Sequence, residues 1–283
     1  MRPRVTVLIP TYNWSSVLPY SIGSVLRQTF TDFELLVVGD GCTDDSEQVV
    51  EGMNDARVRW INLPENTRHQ SGPNNEGLRQ AQGELIAYLG HDDLWFPHHL
   101  EVLVRAIEGH DLAYSLGMQV VGDYLWPNVH RPAVGHFGSP LSMMHRKAVT
   151  DTLGGWGQYR GRVGPDVELW QRAQKAGCSF AFAPRLTGVK FPAAFRKNVY
   201  IERPHHEQKA WLARIDDEPE LETTMLVQFA VGDAVPNAVP YRELMRQVVR
   251  QTLARFRMRA KLNAPKFHNV DEVRRYKGLQ GRD

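Results

Sequence analysis

Three short segments of this chain are apolar at almost every position rather than at every second one: VTVLIP at residues 5–10, FELLVVG at 33–39 and LIAYL at 85–89. A strand with that pattern has to be covered on both faces, as in a parallel sheet wrapped by crossover helices. A fourth, more polar strand is expected at 57–63. The stretches between fit helices. Ser15 or Ser16 opens one that runs to about Gln28, and residues 44–46 open one reaching about Met53. A third spans 74–82 and is closed by Gly83, and a fourth spans 96–108 with Pro97 in its first turn. This strand–helix alternation predicts an α/β fold with a mostly parallel, Rossmann-like sheet and helices on both faces.

The second half is less regular. Strands are expected at 111–122, with a bend, at 134–144, and in two pieces at 179–184 and 187–191. Helices are expected at 146–152 and at 166–176, the latter closed by Gly177. Residues 192–240 mix loops and helices, and Leu244, Val248, Val249 and Leu253 mark a basic helix from 241 to about 263.

Charge is uneven along the chain. Residues 241–283 carry twelve Lys and Arg against four Asp and Glu, whereas the whole chain is only +2. Such a tail can meet an anionic lipid surface. No stretch approaches the roughly 20 apolar residues that span a bilayer. The N-terminal apolar run is too short for a signal-peptide core. The two cysteines, Cys42 and Cys178, stand far apart, which speaks against a disulfide framework. The expectation is a cytoplasmic protein, peripheral at the inner face of a membrane through its tail.

Ligands of open parallel sheets bind beyond the carboxyl ends of the strands. Asp40 follows the second strand directly, and Asp92 and Asp93 follow the fourth. Adjacent carboxylates repel unless a cation or solvent separates them. Paired Asp suits Mg²⁺ or Mn²⁺, hard cations that bridge carboxylates to phosphates. Other chemistries lack their motifs. Thr11, Tyr12 and Asn13 stand where a dinucleotide site would carry a glycine-rich turn, and neither a phosphate-binding P-loop nor a serine nucleophile elbow is present.

Four segments in this order resemble glycosyltransferase family 2, whose members have the GT-A fold. They are VTVLIPTYN at 5–13, FELLVVGDGCTDDS at 33–46, the region from Asn75 through Gly83 to Asp93 and Leu94, and Gly154, Gly155 and Trp156 followed by GPDVELWQR at 164–172. The resemblance implies an inverting transfer of a sugar from a nucleoside diphosphate, UDP first, to the hydroxyl of a glycan or glycolipid acceptor, as in polysaccharide biosynthesis. It implies that Pro10, Thr11, Tyr12, Asn13, Asp40, Arg68 and Asp92 line the nucleotide site. Asp40 would accept the imide N–H of a uracil-like base. Asp93 would hold the metal, Mn²⁺ or Mg²⁺, with His91 beside it. Asp166 matches the catalytic base, although Pro165 stands where the family has Glu. Glu168 is the alternative base, and Trp156 could stack on an acceptor sugar or pack in the core.

On this resemblance, residues 1–191 form the GT-A catalytic domain, with a nucleotide-binding half at about 1–108 and an acceptor half at about 109–191. Residues 192–240 could form a lid, with basic residues such as Arg196 and Lys197 leaning toward the diphosphate, and 241–283 form a helical C-terminal extension. Three alternatives stay open: a catalytically silent nucleotide-sugar-binding protein of the same fold, a nucleotidyltransferase, and a nucleic-acid binder suggested only by the tail. No nucleic-acid partner is expected.

Overall fold

The fold is seen in a computed structural model that describes residues 2–121, 124–128, 139–157, 164–193, 198–234 and 278–279. The expected parallel strands form β1 (Val5–Thr11), β2 (Phe33–Gly39), β3 (Val58–Asn62) and β4 (Leu85–Tyr88). They lie in the order β3-β2-β1-β4, all parallel, with Val5 opposite both Phe33 and Leu85.

Beyond β4 the pairing becomes mixed. The short strand β5 (Leu94–Trp95), β6 (Leu112–Val121), β7 (Tyr124–Asn128), β8 (Met143–Arg146) and β9 (Phe180–Lys190) complete the sheet. The order continues β4-β8-β6-β9-β5, with β7 on β6. β8 runs antiparallel to both β4 and β6, whereas β9 runs parallel to β6.

Residues on alternate sides of β1 feed two cores, as the two-residue repeat of a strand requires. Val5, Val7 and Ile9 meet Leu18 and Ile22 of α1 (Leu18–Leu26) and Leu100 and Leu103 of α4 (His99–Ala106). Leu8 on the other side joins Leu36 and Ile86. That core is closed by Leu78 of α3 (Ser71–Gln80), Val149 of α5 (Lys147–Leu153) and Leu169 and Trp170 of α6 (Pro165–Lys175). The β1 apolar side chains are fully buried, each contributing about 1.5–3 kcal/mol by leaving water.

Three expectations about elements shift. The two strand pieces expected at 179–184 and 187–191 form one strand, β9, with a register shift opposite residues 114–117. Pro184 has no N–H to give a ladder, so the strand bulges around it rather than ending. The strand expected at 134–144 begins only at Met143, after a 3-10 turn at Pro140–Ser142, and residues 134–138 lie outside the described part. β5 went unforeseen because two residues carry no periodicity.

After β9, α7 (Val199–Glu202), α8 (His206–Asp217) and α9 (Leu221–Ala234) follow. Leu212, Ile215, Leu221 and Met225 pack against Leu94, Met118, Leu186 and Val189, so α8 and α9 build a third core on the sheet rather than standing off it. A further helix, α2 (Ser46–Glu51), links β2 to β3. Of the basic tail, only Gly278 and Leu279 are described, and the expected helix at 241–263 lies outside, as do Arg196 and Lys197. Among the described residues no helix is long and apolar enough to cross a membrane.

Candidate active site

The carboxyl ends of β1, β2 and β4 open onto one cavity of about 420 Å³, within the range of small-molecule sites. β1 supplies Pro10, Thr11 and Tyr12, the end of β2 supplies Asp40, and the connection after β3 supplies Asn66, Arg68 and His69. His91, Asp92 and Asp93 come from the turn after β4, Pro165 from the start of α6, and Lys190 and Phe191 from the end of β9. Eight of the residues singled out in the sequence therefore share one cavity: Pro10, Thr11, Tyr12, Asp40, Arg68, His91, Asp92 and Asp93.

Asp40 is 6% exposed. Its Oδ1 accepts the Thr67 N–H at 2.8 Å and the Thr67 hydroxyl at 2.7 Å. Burial pushes its carboxyl upward, and the bonds from Thr67 oppose that rise. A carboxylate has about four lone-pair positions, so acceptor capacity remains beyond Thr67. Arg68 follows with a left-handed backbone, φ 72°, its N–H donating to Asn66 Oδ1 at 2.6 Å.

Asn13 belongs elsewhere. Also left-handed, with φ 44°, it turns its side chain away from the cavity wall. Its Oδ1 accepts the N–H groups of Thr43 and Asp44 at 2.7 and 3.3 Å. Asn13 thus clamps the loop after β2 onto the end of β1, which fixes Asp40 relative to Thr11.

The turn after β4 is tight. Asp93 N–H donates to Gly90 O at 3.0 Å. Both carboxylates fold back over Gly90, where a Cβ would lie 2.7 Å from Asp93 Oδ2 and 3.2 Å from Asp92 Oδ1, so a side chain at 90 would displace them. His91 is buried, with Nδ1 3.0 Å from Thr11 Oγ1, Nε2 3.4 Å from the Tyr200 hydroxyl, and its ring edge-on to Trp14. Both ring nitrogens being engaged, His91 ties β1 to α7 and stands as wall rather than ligand.

Asp93 is the most enclosed of the cavity's acidic residues, its side chain 2% exposed. Lys190 Nζ sits 3.1 Å from Oδ2, and the Phe191 N–H donates to Oδ1 at 2.9 Å. Burial pushes the Asp93 carboxyl up while the Lys190 ammonium pulls it back. Burial disfavours the lysine's charge as well, but Asp93 and then Asp92 hold it above its ordinary range. Each of the two charges is the other's main compensation, at an N–O distance of 3.1 Å. Asp92 is more exposed, and its carbonyl accepts from Gln208 of α8 at 3.1 Å.

Asp166 lies in the first turn of α6, next to the cavity-lining Pro165 and near enough to Lys190 to favour the lysine's charge. Glu168 is committed elsewhere. Arg172 donates to it from Nε at 2.6 Å and Nη2 at 3.0 Å while also binding the carbonyls of Leu153 and Gly155. Trp156 is a core residue, 3% exposed, edge-on to Tyr88 and Trp170. Its backbone is held from both sides by Asn75, which accepts the Trp156 N–H at 2.8 Å and donates to its carbonyl at 2.9 Å. Gly155 makes this fit, with φ 75° and no room for a Cβ, which would lie 2.5 Å from Asn75 Oδ1.

Sequence reasoning missed Thr67, Lys190, Tyr200 and Gln208. Each reaches the site through tertiary packing from a position with no local signal. Lys190 alone had a hint, being a cation at the end of a strand whose preceding residues Leu186 to Val189 are buried. Among the described residues no group of three or more His, Cys, Asp or Glu is placed to hold a metal ion by itself.

Comparison with known proteins places these features in context. The model of glycosyl transferase family 2 matches residues 6–155, more than half of the chain. The Escherichia coli UDP-Glc:alpha-D-GlcNAc-diphosphoundecaprenol beta-1,3-glucosyltransferase WfgD is 29% identical over 143 residues, taking in 50% of this chain and 54% of that one. The chain thus spans about half the length of that curated relative. Among solved structures, Staphylococcus aureus TarS 1-349 in complex with UDP superposes with a TM-score of 0.59 at 19% identity, covering 97% of this chain and 90% of that one. The mannosyltransferase PcManGT from Pyrobaculum calidifontis, in complex with GDP-Man and Mn²⁺, gives 0.57 at 18% identity, covering 88% of this chain and 85% of that one. At such identities the two structures speak for the fold alone.

Proposed function

The chain belongs to glycosyl transferase family 2, and from that membership we propose that it is a glycosyltransferase whose cavity holds a nucleoside-diphosphate sugar, UDP-linked, and passes the sugar to an acceptor hydroxyl with inversion. The observation that carries the reading is the convergence of Asp40, Arg68, Asp92 and Asp93 on one cavity at the carboxyl ends of parallel strands, with Asp166 directly after the cavity-lining Pro165.

Asp40 reads the base. With Thr67 fixing one carboxylate oxygen, the group presents acceptors to an imide N–H, which uracil offers and cytosine does not. Arg68 faces the ribose and phosphates from the connection after β3. Of the two acidic residues after β4, Asp92 is the more exposed and Asp93 is already bonded by Lys190 and Phe191. By its greater exposure Asp92 would be the first ligand for a divalent cation, with Asp93 as a second. This donor set fits Mn²⁺ or Mg²⁺, which bind through one or two carboxylates and complete their shells with phosphate oxygens. When bound, the ion neutralises charge on the departing diphosphate.

The chemistry left to the protein is proton removal and positioning. Asp166 takes the proton of the acceptor hydroxyl as its oxygen bonds to the anomeric carbon. The bond from that carbon to the diphosphate breaks on the opposite face, and the nucleoside diphosphate leaves with the electron pair. Glu168 is held by Arg172, so it supports the α6 start rather than competing for the proton. The Asn75 clamp on Trp156 fixes the loop that flanks the acceptor side. A lipid-linked acceptor suits the tail's balance of positive charge.

Replacing Asp166 by Asn tests the assignment. The variant should lose turnover by about 10²–10⁴-fold while binding UDP as the parent does. Unchanged turnover would remove Asp166 as the base, and a parent that binds UDP without turnover would leave the silent-binder alternative in its place.

A further inference from the structure

Lys190 is the group that the resemblance did not assign and the geometry makes hard to ignore. It ends β9, where its backbone is fixed by pairing with Gln119 of β6. Its side chain is 28% exposed and its ammonium bonds an aspartate whose own side chain is 2% exposed, both residues lining the cavity. On its other oxygen Asp93 accepts the Phe191 N–H, so both oxygens are already in use within the protein.

Charge balance gives this arrangement a purpose. Asp40, Asp92 and Asp93 line the cavity, and Arg68 and Lys190 are the lysines and arginines among the described residues that line it with them. A diphosphate brings two or more further negative charges to a wall that is already acidic. Binding there needs cations to offset it, because like charges repel strongly in a partly desolvated site. Lys190 lies within electrostatic reach of Asp93, Asp92 and Asp166 alike. A lysine side chain can exchange one oxygen ligand for another by rotation about its stem without moving the strand that carries it.

We propose that Lys190 is the protein's own counter-cation for the donor diphosphate, parked on Asp93 until the donor arrives, so that the nucleotide is held even without a divalent ion. The inference rests on the reading of the cavity given above and extends it: Asp93 acts first as a positioning residue for Lys190 rather than as a metal ligand. The metal on Asp92 then adds to a cation that is always present.

Calorimetric titration of UDP into the full chain, in EDTA and in saturating Mn²⁺, tests this. Lys190→Met leaves Asp93 buried without its counter-charge, so the double variant Lys190→Met/Asp93→Asn is measured beside it as the neutral pair that keeps the fold, with melting curves as control. The parent should bind UDP measurably in EDTA. Both variants should bind about tenfold more weakly there or worse, as expected for loss of a charge-assisted contact, and the gap should narrow in Mn²⁺. Lys190→Arg should recover most of the EDTA affinity. A folded double variant that matches the parent in EDTA overturns the inference. So does a parent that binds UDP only with Mn²⁺, and in both cases the donor-site reading survives. Absence of UDP binding by the parent in both buffers overturns the two together.

Discussion

Thr67 and Asp40 show how a single side chain is set for a task. Thr67 spends both its N–H and its hydroxyl on Asp40 Oδ1, so the carboxylate cannot turn over. An Asn at 40 would have to give its carbonyl oxygen to those two donors and would present its NH₂ toward the base. The acceptor that suits uracil becomes a donor that suits cytosine. Asp40→Asn should weaken UDP binding by about 10–100-fold, the worth of about 1–3 kcal/mol for a mismatched buried hydrogen bond, and should shift the UDP-to-CDP preference toward CDP. Titration of both nucleotides checks this, and an unaltered preference would remove Asp40 from base recognition. Asp40 was visible in the sequence because it directly follows an apolar strand. Thr67 was not, since a threonine in a loop 27 residues on gives no sign of which carboxylate it will meet.

At the scale of elements, the parallel half was legible because three of its four strands are apolar at almost every position and its helices begin and end on turn residues. The mixed half was less so. β8 is four residues long and β5 two, and their pairings are set by distant partners rather than by local pattern. Trp156 shows the same limit: an aromatic after two glycines suits a sugar platform or a core, and only packing against Tyr88 and Trp170 decides for the core. β4 and β8 are also joined by a buried polar pair, the Tyr88 hydroxyl and His145 Nε2 at 2.9 Å. Burial pushes His145 down to about 4. The folded-state value lies below the ordinary one of about 6.5, so the unfolded chain takes the proton first. His145 therefore favours folding fully above pH 6.5 and costs stability as pH falls toward 4, by at most about 3 kcal/mol. His99, stacked on Trp95 and held well below its usual range by burial, acts in the same direction. The melting temperature should drop between pH 6.5 and 4, and His145→Gln should flatten part of that drop. A parent curve that is level over this window would contradict the account of the β4–β8 junction.

For the molecule as a whole, two independent cores fix the sheet and leave its carboxyl edge open, while the third core brings α8 across so that Gln208 holds the Asp92 carbonyl. The site is thus closed by segments some 100 residues apart in the chain, which is why its acidic residues could be picked out in the sequence and its walls could not. The basic tail gives a separate, electrostatic expectation. A chain ending at 240 should bind vesicles containing anionic lipid more weakly than the full chain, with the difference fading as salt rises, and equal binding of the two would end the membrane reading. None of this bears as directly on the donor site as titrating the unmodified protein with UDP, GDP, dTDP and CDP, with and without Mn²⁺. The account predicts that UDP binds tightest, that Mn²⁺ strengthens it, and that Asp92→Ala abolishes the metal's contribution. Well-folded protein that binds none of the four nucleotides would contradict it.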